Sequence, residues 1–308
     1  MVAGSLGWWG VPVAILGGAI RVSTPFLFVS LGECITEKSG RINLGLEGTL
    51  IMGAMTGYAA SFLTGSAMLG VLVAGLVGLL LGGLHALICQ QPRVNDVAVG
   101  IALMLFGTGV AFFFGKPFIQ PQAPRLPSID LGWWTDIDQL HSALQINILF
   151  PIGLLLAPVI LWALNNTRWG LIVRIVGDST DAALAMGYSV NFVRLAATAL
   201  GGVLAGIGGS FLSLYYPGSW AEGLSSGQGL MAVALVIFAR WSPLRCCGAA
   251  LLFGGAGAIG PALQSVGVTE GYYLFNAAPY VLTLGIMILT CSRRHTLAGA
   301  PGALGVVQ

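Results

Sequence analysis

The sequence predicts an all-α protein, a polytopic bundle of about nine membrane-spanning helices with eight to ten as the range. Three observations lead there. Of 308 residues, 56% are hydrophobic, and the mean hydropathy is +0.89. Charged residues make up 8%, against about 25% in soluble domains, too few to cover a water-facing surface. The apolar residues fall into runs of roughly 20, the length a helix needs to cross about 30 Å of hydrocarbon. Such runs must be helical, because only a helix satisfies every backbone group within its own segment.

Taken in order, spans are expected at 9–34, 43–64, 67–89, 95–115, 144–164, 191–215, 226–240, 246–266 and 274–291. The first carries Arg21, which must face the bundle interior or a wet cavity, and the seventh is short. The whole chain, 1–308, reads as one transmembrane domain with two long connections. The outer one, 116–143, holds Pro117, Pro121, Pro124 and Pro127, then Trp133 and Trp134 with Asp130, Asp136 and Asp138. Its paired Trp point to a helix lying at the membrane interface, where indoles settle. The inner connection, 165–194, is the most polar stretch on its side.

Basic residues set the orientation. Ten lie on one side: Lys38, Arg41, Arg93, Arg168, Arg174, Arg194, Arg240, Arg245, Arg293 and Arg294. Only Lys116 and Arg125 lie on the other. The positive-inside rule then places the C-terminus in the cytoplasm, and an odd number of spans places the N-terminus outside. The first basic residue is Arg21, so no cleaved signal peptide is expected. Cys34, Cys89, Cys246, Cys247 and Cys291 fall near the cytoplasmic side and read as reduced thiols packed as small hydrophobes.

Composition removes several classes. A net charge of +2 is too small to argue for nucleic acid. Gly, at 46 residues, is about twice ordinary usage but has no collagen period. Instead small residues recur four apart, as in Gly53 and Gly57, Gly78 and Gly82, Gly202 and Gly206, and Gly254 and Ala258. This spacing lets helices approach closely in lipid.

Two enzyme-like patterns have simpler readings. Gly255, Gly257 and Gly260 match G-x-G-x-x-G, but inside an apolar span with no preceding strand. Gly223, Ser225 and Gly227 match G-x-S-x-G, the setting of a hydrolase nucleophile. A base from His85, His141 or His295 would have to reach Ser225, and a turn between spans accounts for the same residues. Phosphate-binding equipment is missing too: the two lysines, Lys38 and Lys116, complete no G-x-x-x-x-G-K-[ST]. Any ATP that drives this protein is hydrolysed elsewhere.

The segment Gly32 to Gly48, GECITEKSGRINLGLEG, concentrates Glu33, Glu37, Lys38, Arg41 and Glu47 between two apolar runs, with Gly40, Gly45 and Gly48 interrupting. It reads either as a charged turn held by internal ion pairs or as a broken helix lining a pathway. For solute contacts it nominates Asn43 and Glu47. In the inner connection, Asp178 is expected to cap a short helix, Asp181 to complement its positive start, and Gly187 to close it in the left-handed conformation. A helix of two to three turns needs something to dock into.

At these two segments the chain resembles the permeases of ATP-binding-cassette importers, in the branch that includes ribose and branched-chain amino acid permeases, and most of all the nucleoside or simple-sugar permeases. The early motif of that family, G-E-x-x-x-E-[RK]-S-G-x-x-N-[IL]-G-x-E-G, is met by Gly32, Glu33, Glu37, Lys38, Ser39, Gly40, Asn43, Leu44, Gly45, Glu47 and Gly48. Its coupling-helix motif is met by Gly177, Ala182, Ala183, Gly187, Tyr188, Val190 and Arg194. The resemblance covers about residues 20 to 292. Two departures stand out: Cys246 and Cys247 follow Arg245 where small residues are commoner, and the family's usual Asn-Pro is Ser179-Thr180 here.

The resemblance implies a type II importer in a bacterial cytoplasmic membrane. Two permease chains, often a heterodimer, form its pore, two cytoplasmic ATPases grip the coupling helices, and an extracytoplasmic binding protein delivers a nucleoside or sugar-like solute. The permease would be no enzyme and hold no cofactor, with ATP and Mg on the ATPase. Coupling would fall to Gly177, Asp178, Asp181, Ala182, Ala183, Gly187 and Arg194. A bulky charged residue at Ala183 is then expected to abolish docking and leave membrane insertion intact. The competing reading is an ion- or proton-coupled carrier using Arg21, Glu33 and Glu47.

Overall fold

The computed structural model describes residues 10–267, 275, 277–290 and 299–305. Cys291, Arg293, Arg294 and His295 lie outside the described residues. Among the described residues twelve α-helices follow one another: α1 (Gly10–Lys38), α2 (Leu46–Thr64), α3 (Ala67–Cys89), α4 (Asp96–Gly115), α5 (Asp138–Leu144), α6 (Leu149–Asn166), α7 (Arg168–Asp178), α8 (Thr180–Ala185), α9 (Val190–Leu214), α10 (Gln228–Phe238), α11 (Pro243–Gln264) and α12 (Ala278–Thr290). Each expected span coincides with one of them. Among the described residues six are long and apolar enough to cross a membrane: α1, α3, α4, α6, α9 and α11. The chain is a multi-pass membrane protein.

α1 runs through the middle. Every residue from Ser23 to Glu37 is buried, and the helix packs against α9 on one flank and α11 on the other. Over that stretch it has no lipid or water face, and its apolar residues are spread around the helix rather than gathered in one stripe, with Glu33 and Glu37 buried among them. On α3, α4 and α6 the outward side chains are the apolar ones: Leu72, Leu76 and Leu80, Leu105 and Phe106, Leu155 and Val159 are all exposed. That is the distribution expected where lipid replaces water.

The small-residue spacing is spent on helix contacts. A Cβ added to Gly78 of α3 would sit 2.1 Å from the carbonyl oxygen of Gly202 of α9, and one on Gly53 of α2 would sit 2.4 Å from that of Gly206. Backbones touch here, and no larger residue fits.

Two expectations are corrected. The Trp pair does not sit on a helix: Trp133 and Trp134 are 82% and 62% exposed in the turn before α5. The outer connection also carries a small antiparallel ladder, β1 (Ser128–Asp130) with β2 (Gln145–Asn147). That pairing takes up the start of the expected fifth span, so α6 begins at Leu149.

Candidate functional site: a broken helix beside a surface helix

α1 ends at Lys38, and Gly40, at φ +83°, turns the chain in a conformation that glycine adopts freely. Residues 39–45 then fold back along α1: the amide of Asn43 donates to Glu33 Oε1 at 2.8 Å, more than a turn inside the helix end. Asn43 Oδ1 accepts from the Gly45 amide at 2.9 Å, which sets the start of α2. α2 therefore begins inside the bundle, not at its surface.

α10 begins at depth as well. At 11 residues it is about 16 Å long, half a span. Its first turn meets the first turn of α2 through one carboxylate. Glu47 accepts from Ser225 Oγ at 2.5 Å, from the Gly227 amide at 2.9 Å and from the Gly229 amide at 2.6 Å. Two positive helix ends thus converge on one acid, an arrangement their dipoles favour. A Cβ on Gly229 would lie 2.5 Å from Glu47 Cα, so the close approach depends on that glycine. Beyond the other end of α10, Trp241 Nε1 donates to Glu37 Oε2.

The expected internal ion pairs do not form among the described residues. Arg41 pairs instead with Asp96 at the start of α4, outside the segment, and its Nη2 donates to the Cys89 carbonyl at 2.5 Å. Lys38 Nζ donates to the Gly299 carbonyl at 3.3 Å. Glu33, Glu37 and Glu47 take amide, indole and hydroxyl donors rather than cations. The broken-helix reading is the one the geometry matches.

The inner connection folds as two helices. Ser179, with φ −152° and ψ 110°, caps α8 by accepting from the Ala182 amide at 3.3 Å. Asp178, expected as the cap, is instead the last residue of α7, because a cap needs the extended backbone that only Ser179 has here. Gly187, at φ +79°, closes the helix as expected, with the Tyr188 amide donating to the Ala183 carbonyl at 3.0 Å. At six residues α8 is under two turns, shorter than anticipated. Asp181, Ala182, Leu184 and Met186 face outward, whereas Ala183 is fully buried against its own chain.

Sequence reasoning missed how the two segments join. A Cβ on Gly177 would sit 2.2 Å from the Lys38 carbonyl oxygen, so α7 lies directly on the break. Arg194 Nε donates to the Ser39 carbonyl at 3.1 Å. A polar cavity of about 400 Å³ occupies the joint, lined by Gly40, Arg41, Asp96, Asp178, Asp181 and Arg194 among others. These contacts are too distant in sequence for any local pattern to announce them.

Ser225 has no histidine beside it among the described residues. Its hydroxyl is spent on Glu47, His141 Nε2 contacts Asp130 Oδ2 at 3.1 Å, and His85 lies 3.5 Å from Cys89 Sγ. The G-x-S-x-G pattern is a turn whose Gly223 and Gly227 take positive φ.

The chain matches the family described as branched-chain amino acid transport system, permease component, over residues 15–291. It is 34% identical over 249 residues to a Haloferax volcanii protein named provisionally as a glucose ABC transporter permease, covering 78% of this chain and 74% of that one. It is 28% identical to the nucleoside ABC transporter permease protein of Lactococcus lactis, over 95% of each chain. The guanosine ABC transporter permease protein of Bacillus subtilis is 29% identical, again over 95% of each.

Proposed function

The chain belongs to the branched-chain amino acid transport system permease family, and from that premise we propose that it passes a nucleoside or a simple sugar into the cytoplasm. As an ABC transporter permease it is a transport subunit and not an enzyme, and it works with ATPase and substrate-binding partners. Relatives that transport nucleosides, over nearly the full length of both chains, support the solute class.

The observation that carries the mechanism is the joint between α7–α8 and the break. α8 presents Ala182, Leu184 and Met186 outward for an ATPase to grip, while Gly177 and Arg194 at its base rest on Lys38 and Ser39. A push on α8 therefore reaches residues 39–45 through its two flanking helices, by Gly177 of α7 and Arg194 of α9. Gly177, Asp178, Asp181, Ala182, Ala183, Gly187 and Arg194 act as the coupling set. Asn43 and Glu47 belong to the solute pathway by shaping it. Both are buried, with acceptors engaged inside the chain, so moving α2 against α10 opens or closes the space beside them.

In this reading residues 1–308 act as one permease domain in a bacterial cytoplasmic membrane, with the basic end of the bundle and the C-terminus in the cytoplasm and the N-terminus outside. A second permease chain, related rather than identical, completes the pore. ATP and Mg bind only to the ATPase. Proteoliposomes holding the assembled importer should concentrate labelled guanosine or ribose when ATP is supplied, and the permease alone should not. Concentrative uptake by the permease alone, or uptake abolished by an uncoupler while ATP stays high, would instead establish an ion-coupled carrier.

A further inference from the structure

We propose that Arg21 is the specificity-determining residue of a solute site between α1 and α11, and that this site reads the carbonyl edge of a 6-oxopurine. The proposal rests on the nucleoside reading above and names the member of that class the chain favours.

Arg21 lies in a membrane-crossing helix, where an uncompensated cation is costly and is retained for a function. Among the described residues no carboxylate pairs with it: the ion pairs there are Arg41 with Asp96 and His141 with Asp130. Its Nη2 donates to the Ser142 carbonyl, which orients the guanidinium without neutralising it. Its Nε is buried and has no partner among the described residues, a rare state for such a group. Arg41 and Arg194, by contrast, are committed to the carboxylate and the carbonyls that hold the break.

Beside Arg21 opens a cavity of about 310 Å³, at the small end of ligand sites, which run from roughly 300 Å³ upward. Its wall is made of small apolar side chains, including Val22 and Ala258, with Tyr216 as an aromatic face and few polar groups besides Arg21 and Ser142. A free sugar enclosed by such a wall, with hydroxyls all round, would leave most of them unpaired. A purine base can lay its flat faces against such a wall and turn its O6 and N7 edge to Arg21, with the ribose and its hydroxyls toward the open side of the cavity. The guanidinium fork pairs with O6 and N7 of guanine, whereas adenine sets an N6 donor against the same fork.

The test is uptake of labelled guanosine and adenosine by the assembled importer, carrying wild-type permease, Arg21→Gln, Arg21→Lys or Ala14→Phe, with ATPase co-purification as the check on assembly. Wild type should prefer guanosine. Arg21→Gln should lower guanosine uptake roughly 10- to 100-fold, as expected for lost charge-assisted hydrogen bonds, and abolish the preference while the ATPase still co-purifies. Ala14→Phe, which fills the cavity, should lower uptake of both nucleosides. Lysine should fail to restore the preference, because a point charge lacks the fork. Equal wild-type uptake of both nucleosides, guanosine uptake unmoved by Arg21→Gln, or full rescue by lysine would overturn the proposal and leave the importer reading standing. Uptake of neither nucleoside by wild type would overturn the nucleoside reading itself.

Discussion

Glu47 Oε2 accepts the Gly229 amide at 2.6 Å across 182 positions of sequence, so one carboxylate closes the first turns of both α2 and α10. Removing it strands the buried Ser225 hydroxyl and Gly229 amide and leaves the half-buried Gly227 amide without its acceptor. At about 1–3 kcal/mol for each buried unsatisfied group, Glu47→Ala should cost about 3–5 kcal/mol. Glu47→Gln keeps one acceptor oxygen and should cost less. Thermal unfolding in detergent measures both, and a melting temperature unchanged in Glu47→Ala would mean that the shared carboxylate does not hold the helices.

The tie between Arg41 and Asp96 fixes the break to the start of α4, with both side chains largely buried. Losing one partner leaves an uncompensated charge, so Arg41→Ala or Asp96→Ala should each destabilise by about 3 kcal/mol. The double variant should lose clearly less than the sum, because the second deletion removes the stranded charge. Strict additivity in the same unfolding assay would show that the two groups do not depend on each other.

Glycines that look alike in sequence should respond differently. Gly78 and Gly83 both lie in α3, but a Cβ on Gly78 strikes the Gly202 carbonyl, whereas one on Gly83 meets nothing within 4 Å. Gly78→Ala must push α3 off α9 and should cost about 2 kcal/mol or more, in the range of overpacked cores. Gly83→Ala should be neutral. Comparing the two by yield of monodisperse protein and by melting temperature checks the contrast; equal behaviour would place the α3–α9 contact elsewhere.

The spans were legible because hydropathy and length act locally, and the positions of α1, α3 and α9 follow from them. The irregular segment at 32–48 was visible too, since five charges between apolar runs have few physical solutions. Its partners were not. Trp241 lies 204 positions from Glu37, and Ser225 lies 178 from Glu47; nothing in the local pattern of either pairs them. The ladder of β1 with β2 escaped notice because strands of three residues carry no usable alternation. Asp178 and Ser179 are both good cap residues, and only the backbone decides between them.

That decision bears on how α8 is to be tested. Because Ala183 is buried against its own chain, a charge there would unseat α8 and could not separate docking from folding. Leu184 and Met186 are 61% and 54% exposed, with apolar side chains directed away from the bundle. Leu184→Glu and Met186→Glu should therefore leave the stability within about 0.5 kcal/mol of wild type, the usual range for surface changes. In a contact whose apolar anchors carry most of the binding energy, each should weaken ATPase association by about 2 kcal/mol, roughly 30-fold. Ala183→Glu should instead lower stability, through a buried charge with no partner. Arg194→Ala should keep ATPase association but lower transport per ATP hydrolysed, because it cuts the bond to Ser39 that carries movement into the break. Pull-down of the ATPase, with uptake measured against hydrolysis, separates the two steps; normal coupling in Arg194→Ala would show that force enters the bundle by another route.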